Sequence, residues 1–352
     1  MSDVSETAQR AETGLSDGPG GPPGPGGGLA GVLRTGRTVF LSQREASIFV
    51  IAVALVIYFG LTTTNFFTSL NLANISYGTA AFAIIAIGEV MLLVCGEIDL
   101  SVGYVWTLSP FLMYFFITYY GIPVVLAVLL ALACGTLIGL VNGLITVRLK
   151  VASFIATLGT SFIIYGFMLT SSHAQALNLP PNSLGTGAWL GSATWAEISW
   201  AAGLAVIFHI VLTRTRWGLY TIAAGGNLIG ASEAGINVAR VKIGNFMLTS
   251  TLGALAGILE AFRTNTIDPS AGGYPVMFTA VSAAVIGGTA LAGGSGTVAG
   301  ALLGMVVLAI LQDGFNLRGI STNPYQIILG SAIIVAMVAN VYLTRLRRAG
   351  ET

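Results

Sequence analysis

Ten apolar stretches follow one another between residues 47 and 343, and they limit the folds open to this chain more than any other feature. They read 47–64, 76–96, 101–120, 121–146, 151–172, 199–213, 242–264, 276–292, 296–313 and 324–343. A helix needs about 20 mostly apolar residues to cross the hydrocarbon core of a bilayer. Charge excludes a soluble reading: Asp, Glu, Lys and Arg make up 8% of the sequence, against roughly a quarter in soluble domains. The short alternating segments of a membrane β-barrel are absent. The expected fold is an all-α polytopic membrane protein with about ten transmembrane helices.

The ends differ in composition. Residues 1–46 contain "GLSDGPGGPPGPGGGLAGVL", too rich in Gly and Pro to bury a core, and are expected to form a disordered tail. This segment is too long and polar for a cleaved signal peptide. Residues 344–352 form a short basic tail with Arg345, Arg347 and Arg348.

Lys and Arg in short loops favour the cytoplasmic side. Arg34, Arg37 and Arg44, then Arg148 and Lys150, then Arg214, Arg216, Arg240 and Lys242, then the C-terminal arginines are separated by even numbers of spans. All four clusters therefore share one side, which predicts N-in and C-in. The loop 173–198 on the other side has no Lys or Arg; Arg263 and Arg318 are the exceptions.

Two pairs of segments look alike. "GTLIGLVNG" (135–143) and "GTVAGALLG" (296–304) share GTxxGxxxG, and "EIDLSVGY" (97–104) and "TIDPSAGGY" (266–274) share IDxSxG. Glycines at that spacing also serve as ordinary close-packing faces. The common order predicts a repeat of spans 2–5 and 7–10, separated by an odd number of crossings and hence inverted, as in many transporters.

Carboxylates in such a chain require a reason, because one in hydrocarbon costs several kcal/mol. Glu89, Glu97, Asp99, Glu260, Asp268 and Asp313 fall in or near spans. Asp99 or Ser101 can cap the start of span 3; the alternative is that Glu97 or Asp99 lines a pathway and accepts hydrogen bonds from a polar solute. Asp99 and Ser101 recur in the echo as Asp268 and Ser270 while Glu97 does not, so Glu97 is the stronger candidate for contact with cargo. Glu260 and Arg263, three residues apart, are expected to pair. Ser101, Asn142, Thr157, Ser161 and Asn316 are further candidates for a pathway wall. Cys95 and Cys134 read as small packing residues, and His173 and His209 have no metal-ligand spacing, so no metal is expected. Near-zero net charge leaves no nucleic-acid footprint.

The loop 214–240 is long and contains "NLIGASEAGI", a helix-compatible stretch with small residues at Ala231, Ala234 and Gly235. It reads as a plain connector or as a short helix docking in a partner's groove. With "GEIDLSVG" (96–103), "NGLITVRLKVASFIATLGT" (142–160), "GLYTIAAGGNLIGASEAGINVARVK" (218–242), "AVSAAVIGGTALAGGSGTVAGALLG" (280–304) and "GISTNPYQIILGSAIIV" (319–335), the chain resembles the ribose-type sugar permeases of bacterial ATP-binding-cassette (ABC) importers. The resemblance covers nearly everything after the tail. It implies that 47–343 is a transmembrane permease domain in the inner membrane, paired with a second permease copy. It further implies a separate ABC ATPase as the consumer of ATP and an extracytoplasmic sugar-binding protein. On this resemblance Gly225, Gly226, Asn227, Ala231, Ala234 and Gly235 belong to the loop that couples to the ATPase. Many relatives carry a small residue where Glu97 stands.

The chain has two lysines, Lys150 and Lys242, neither in a phosphate-binding Gly-rich loop, so no P-loop ATPase is expected within it and no cofactor is called for. A gradient-driven secondary transporter of a small polar solute is the alternative, using buried acids for coupling. A non-transporting scaffold would not need paired broken segments.

Overall fold

A computed structural model describes residues 44–193 and 195–320, with single positions between 327 and 338. The expected tail up to residue 43, most of the tenth span and the C-terminal tail lie outside the described residues. Within them the chain forms α1 (Arg44–Thr62), α2 (Ser69–Val94), α3 (Val102–Thr118), α4 (Val124–Arg148), α5 (Ser153–Ser172) and α6 (Ala196–Arg214). After these come α7 (Arg216–Gly226), α8 (Leu228–Glu233), α9 (Val238–Thr264), α10 (Tyr274–Ile286) and α11 (Val298–Leu317). Seven of these helices are long and apolar enough to cross a membrane, and α3 and α10 are shorter apolar helices. They account for nine of the ten expected spans.

Boundaries moved where local chemistry overrode hydropathy. Helix α2 begins at Ser69 because the Thr68 side chain accepts the Asn71 N–H, an N-cap that places a polar first turn ahead of the apolar run. Helix α10 stops at Ile286, short of the expected 292, where Gly288, Gly293 and Gly294 take φ values of +89°, +85° and +79°, a region costly for residues with a Cβ. The loop 214–240 holds two helices, α7 and α8, rather than the one short stretch expected. A two-residue antiparallel pair, β1 (Leu177–Asn178) and β2 (Thr266–Ile267), joins the long loop to the segment after α9.

Helices α2 and α9 form the interior, buried over most of their length, while α1, α4 and α6 expose apolar faces. They run antiparallel: Thr249 Oγ1 donates to the Gly88 carbonyl at 2.9 Å, and Asn245 Nδ2 to the Met91 carbonyl at 3.2 Å. Two neighbour relations of α2 have counterparts around α9; its packing on α6 is not among them. Helix α9 packs on α3 and α4, as α2 packs on α10 and α11, and α3–α4 repeats as α10–α11. Over spans 2–4 and 7–9 this is the inverted repeat that the IDxSxG echo predicts; most of the expected counterpart of span 5 lies outside the described residues.

The glycine echo has a different origin. Gly135 lies well inside α4, whereas Gly296 precedes the first residue of α11. Gly139 and Gly143 face α9 at Phe246 and Ile243, but Gly300 and Gly304 face α10 at Gly287 and Ala283. The two runs are separate close-packing faces that share a spacing, not structural equivalents.

The shortness of α3 and α10 has a geometric consequence. Val102, the first residue of α3, packs on Gly253, near the midpoint of α9. Gly273, the N-cap of α10, donates its N–H to the Gly103 carbonyl at 2.9 Å. Both helices thus start half-way through the bundle and meet at their N-termini, each completed by an extended segment running to its own face. We call these faces the Glu97 face and the Asp268 face.

Candidate functional site

The segment Cys95–Ser101 is irregular backbone at the depth of a membrane helix, which is tolerated only where its polar groups are satisfied within the protein. Two side chains of α5 do this: Ser153 Oγ accepts the Ile98 N–H at 3.4 Å and Thr157 Oγ1 the Leu100 N–H at 3.0 Å. Asp99 Oδ1 accepts both the N–H and the hydroxyl of Ser101, at 2.8 and 2.6 Å, and Oδ2 accepts from Ser250 at 3.2 Å. Asn142 Nδ2 donates to Ser101 Oγ at 2.8 Å and is 3.5 Å from Asp99, while its Oδ1 accepts from Thr160 at 2.7 Å. Ser101, at the N-cap position of α3, makes no side-chain cap bond.

Four of the sequence candidates therefore meet at the break: Asp99, Ser101 and Asn142 form one hydrogen-bonded network and Thr157 holds the adjoining Leu100 N–H, all four with no exposed surface. Ser161 is also buried, bonded to the Thr157 carbonyl at 2.7 Å. Asn316 is exposed near the end of α11 and is not brought to this group. Glu89 is fully buried beside Asp99. Glu97 stands apart from the network and pairs with Lys242 at the start of α9. The expected Glu260–Arg263 pair is present, with Arg263 Nε 2.8 Å from Glu260 Oε2 and also 3.3 Å from the buried Glu197.

Beside Glu97, three stretches of backbone meet with almost nothing between them. A Cβ on Gly225 would stand 1.9 Å from the Val94 carbonyl oxygen and 2.8 Å from the Gly294 nitrogen. Gly294 donates its own N–H to that carbonyl at 2.8 Å, and a Cβ on Gly293 would come within 3.1 Å of the Cα of Gly96 and of Gly225. The end of α7 is thus pressed against the end of α2 and the loop after α10. Asn245 ties the same elements from within: it accepts from Trp217 Nε1 at 2.9 Å and donates to Thr221 at 3.1 Å as well as to Met91.

From this junction α8 projects. Asn227 caps it, its Oδ1 accepting the Gly230 N–H at 2.9 Å. Ala231 faces inward; Ala234 and Gly235 are exposed, Gly235 at φ +81° with open space where a Cβ would go. Leu228 and Ile229 are 51% and 71% exposed. Helix α8 forms one wall of a cavity of about 690 Å³ whose lining includes Glu97, Lys150, Leu228, Ile229, Glu233 and Lys242. Among the described residues no group of three metal-ligating side chains occurs.

Residues 71–338 match the family described as branched-chain amino acid transport system / permease component. The chain belongs to this permease family. It is 39% identical to the xylose/arabinose import permease protein of Sulfolobus acidocaldarius over 313 residues, 86% of each chain. It is 36% identical to the ribose import permease protein of Escherichia coli K12 over 299 residues, 81% of this chain and 91% of that one. A fructose import permease protein of Rhizobium meliloti is 28% identical over 318 residues, 87% of this chain and 88% of that one. No solved structure matches.

Several residues that shape this permease escaped the sequence reading. Lys242 was legible in principle, as one of two lysines in the chain. Asn245 and Glu197 carry the polar ties of α9 to its neighbours, and intramembrane polarity was the available signal. Gly293 and Gly294 belong to the Gly225 junction but sit in a loop whose glycines resemble ordinary turn residues.

Proposed function

We propose that this chain is the transmembrane subunit of an ATP-driven importer for a monosaccharide or related polyol. Its site is the cytoplasmic membrane of the cell, with both termini inside. In this reading the Glu97 face is cytoplasmic, and α8 is the element on which a separate ABC ATPase docks. The Asp268 face is extracytoplasmic and receives a sugar-binding protein. A second permease copy, identical or a sister subunit, completes the assembly, and ATP is consumed only by the partner.

The observation that carries the reading is the build of α8. It is a capped helix displaying Leu228 and Ile229 outward, seated through Gly225 on the backbone of the broken segment at Val94–Gly96. Exposed apolar side chains next to a close-packed junction suit a partner surface better than a lipid-facing loop. The named activities of the sugar-importing relatives supply the substrate class.

Uptake of labelled ribose, xylose and arabinose by cells expressing the chain with its ATPase tests this directly. Uptake should cease on ATP depletion even with the proton gradient maintained. Persistence would favour a gradient-driven transporter, the reading that the buried Glu89 supports. Orientation is checked in a background lacking Cys95 and Cys134: cysteines at the exposed Gly235 and Ser270 should be labelled by an impermeant reagent from opposite sides.

A further inference from the structure

On the Asp268 face, between α3, α9 and the segment that follows α9, lies a second cavity of about 230 Å³. Its lining includes Trp106, Thr107, Glu260, Thr264, Thr266 and Asp268. The volume is just under the roughly 300 Å³ at which drug-sized pockets begin, which suits a single small ring.

Its wall is mostly apolar, with polar groups at a few points. Pro110 within α3 has no N–H to give to the Trp106 carbonyl, and that carbonyl lies against Gly257, where a Cβ would be 1.7 Å away. The Trp106 indole N–H and the Thr107 hydroxyl have no hydrogen-bond partner, and Thr107 is 2% exposed. Asp268 uses Oδ1 for the Ser270 N–H and hydroxyl, at 2.8 and 2.6 Å, leaving Oδ2 open. Glu260 is oriented by Arg263.

We propose that this cavity is a binding site for a neutral monosaccharide on the permease itself, an inference that rests on the sugar-importer reading above. The chemistry fits a ring with several hydroxyls. Carboxylate oxygens and the hydroxyl oxygens of Thr264 and Thr266, whose own protons go to backbone carbonyls, accept from sugar hydroxyls, and the indole offers an apolar face. Two carboxylates in the wall disfavour anionic ligands such as sugar phosphates and sugar acids. The cavity opens on the face to which the substrate would be delivered, one helical turn from the seam where α3 and α10 abut. The sealed network around Asp99 is thereby assigned to holding the fold, and the exposed copy of the same turn to the cargo.

The test uses the full chain in lipid nanodiscs, titrated with ribose, xylose and arabinose while tryptophan fluorescence is followed. Saturable binding is expected. Asp268→Asn should weaken it about tenfold, the effect of losing one charged hydrogen bond, and Ala271→Leu, which fills the cavity from its exposed rim, should abolish it. Sugar phosphates should not compete. Unaltered binding in both cavity variants overturns the proposal, as does absence of binding by a wild-type chain that transports. If the wild-type assembly imports no sugar at all, the importer reading falls and this site with it. Sugar import that is unaffected by either cavity variant removes the site alone.

Discussion

The turns at Asp99 and Asp268 are the same structure in two surroundings. In each, Oδ1 takes the N–H of the residue two positions on at 2.8 Å and its hydroxyl at 2.6 Å. Four residues, Ile-Asp-x-Ser, are enough to build it, because an Asx side chain competes locally for backbone donors. What the four residues do not fix is burial. Asp99 is sealed among Ser250, Asn142 and α5, whereas Asp268 is exposed at the rim of a cavity. An inverted repeat thus duplicates local geometry and leaves each copy free to take a different role.

The comparison breaks most visibly under alanine. Asp99→Ala leaves the N–H and hydroxyl of Ser101 and the hydroxyl of Ser250 without their acceptor in a dry site, at about 1–3 kcal/mol per orphaned group. Asp268→Ala leaves groups that water reaches. Thermal unfolding of the purified chain should show a large loss of stability for the first and little for the second; equal losses would erase the distinction. Next in size is the Gly225 junction. Gly225→Ala drives a Cβ into the Val94 carbonyl and should cost about 1–3 kcal/mol and, with it, ATPase co-purification. Gly226→Ala has 3.7 Å to its nearest atom and should be tolerated in both assays. Smaller still is Asn245→Leu. Loss of its bonds to α2 and α7 is partly offset by apolar packing, and its mark should be faster hydrogen exchange at Trp217–Thr221 rather than failure to fold. The least effect belongs to the Glu97–Lys242 pair, which is partly exposed: Glu97→Gln should cost no more than about 1 kcal/mol. A charge reversal, Glu97→Lys with Lys242→Glu, should restore whatever uptake the single changes remove.

The sequence made the helical class, the order of the spans and the inverted repeat legible, because hydropathy and a four-residue turn are local properties. It showed that 96–101 is a break, but its depth required Val102 to be seen against Gly253. Among the candidate residues, Asp99, Ser101 and Asn142 were named together without any sign that they bond to one another, and Thr157 without any sign that it holds the Leu100 N–H. That connection depends on α4 and α5 crossing the break, which no spacing along the chain encodes. Gly225 was singled out by resemblance; the reason for it, contact with Val94 and Gly294, joins segments far apart in sequence. Leu228 and Ile229 passed as ordinary apolar residues, since exposure in a membrane protein is invisible to composition.

The meeting of α3 and α10 behaves mechanically like a fulcrum. Glycine stands on both sides, one backbone hydrogen bond crosses it, and the rings of Tyr104 and Tyr274 meet edge to face beside it at 5.5 Å. Helix α3, 17 residues long, is a lever of about 25 Å at 1.5 Å per residue. A tilt of about 10° at the seam displaces its far end by roughly 4 Å, and α10, pointing the other way, swings its own end on the opposite face. Small rotations near the middle of the bundle would thus be magnified at both of its faces.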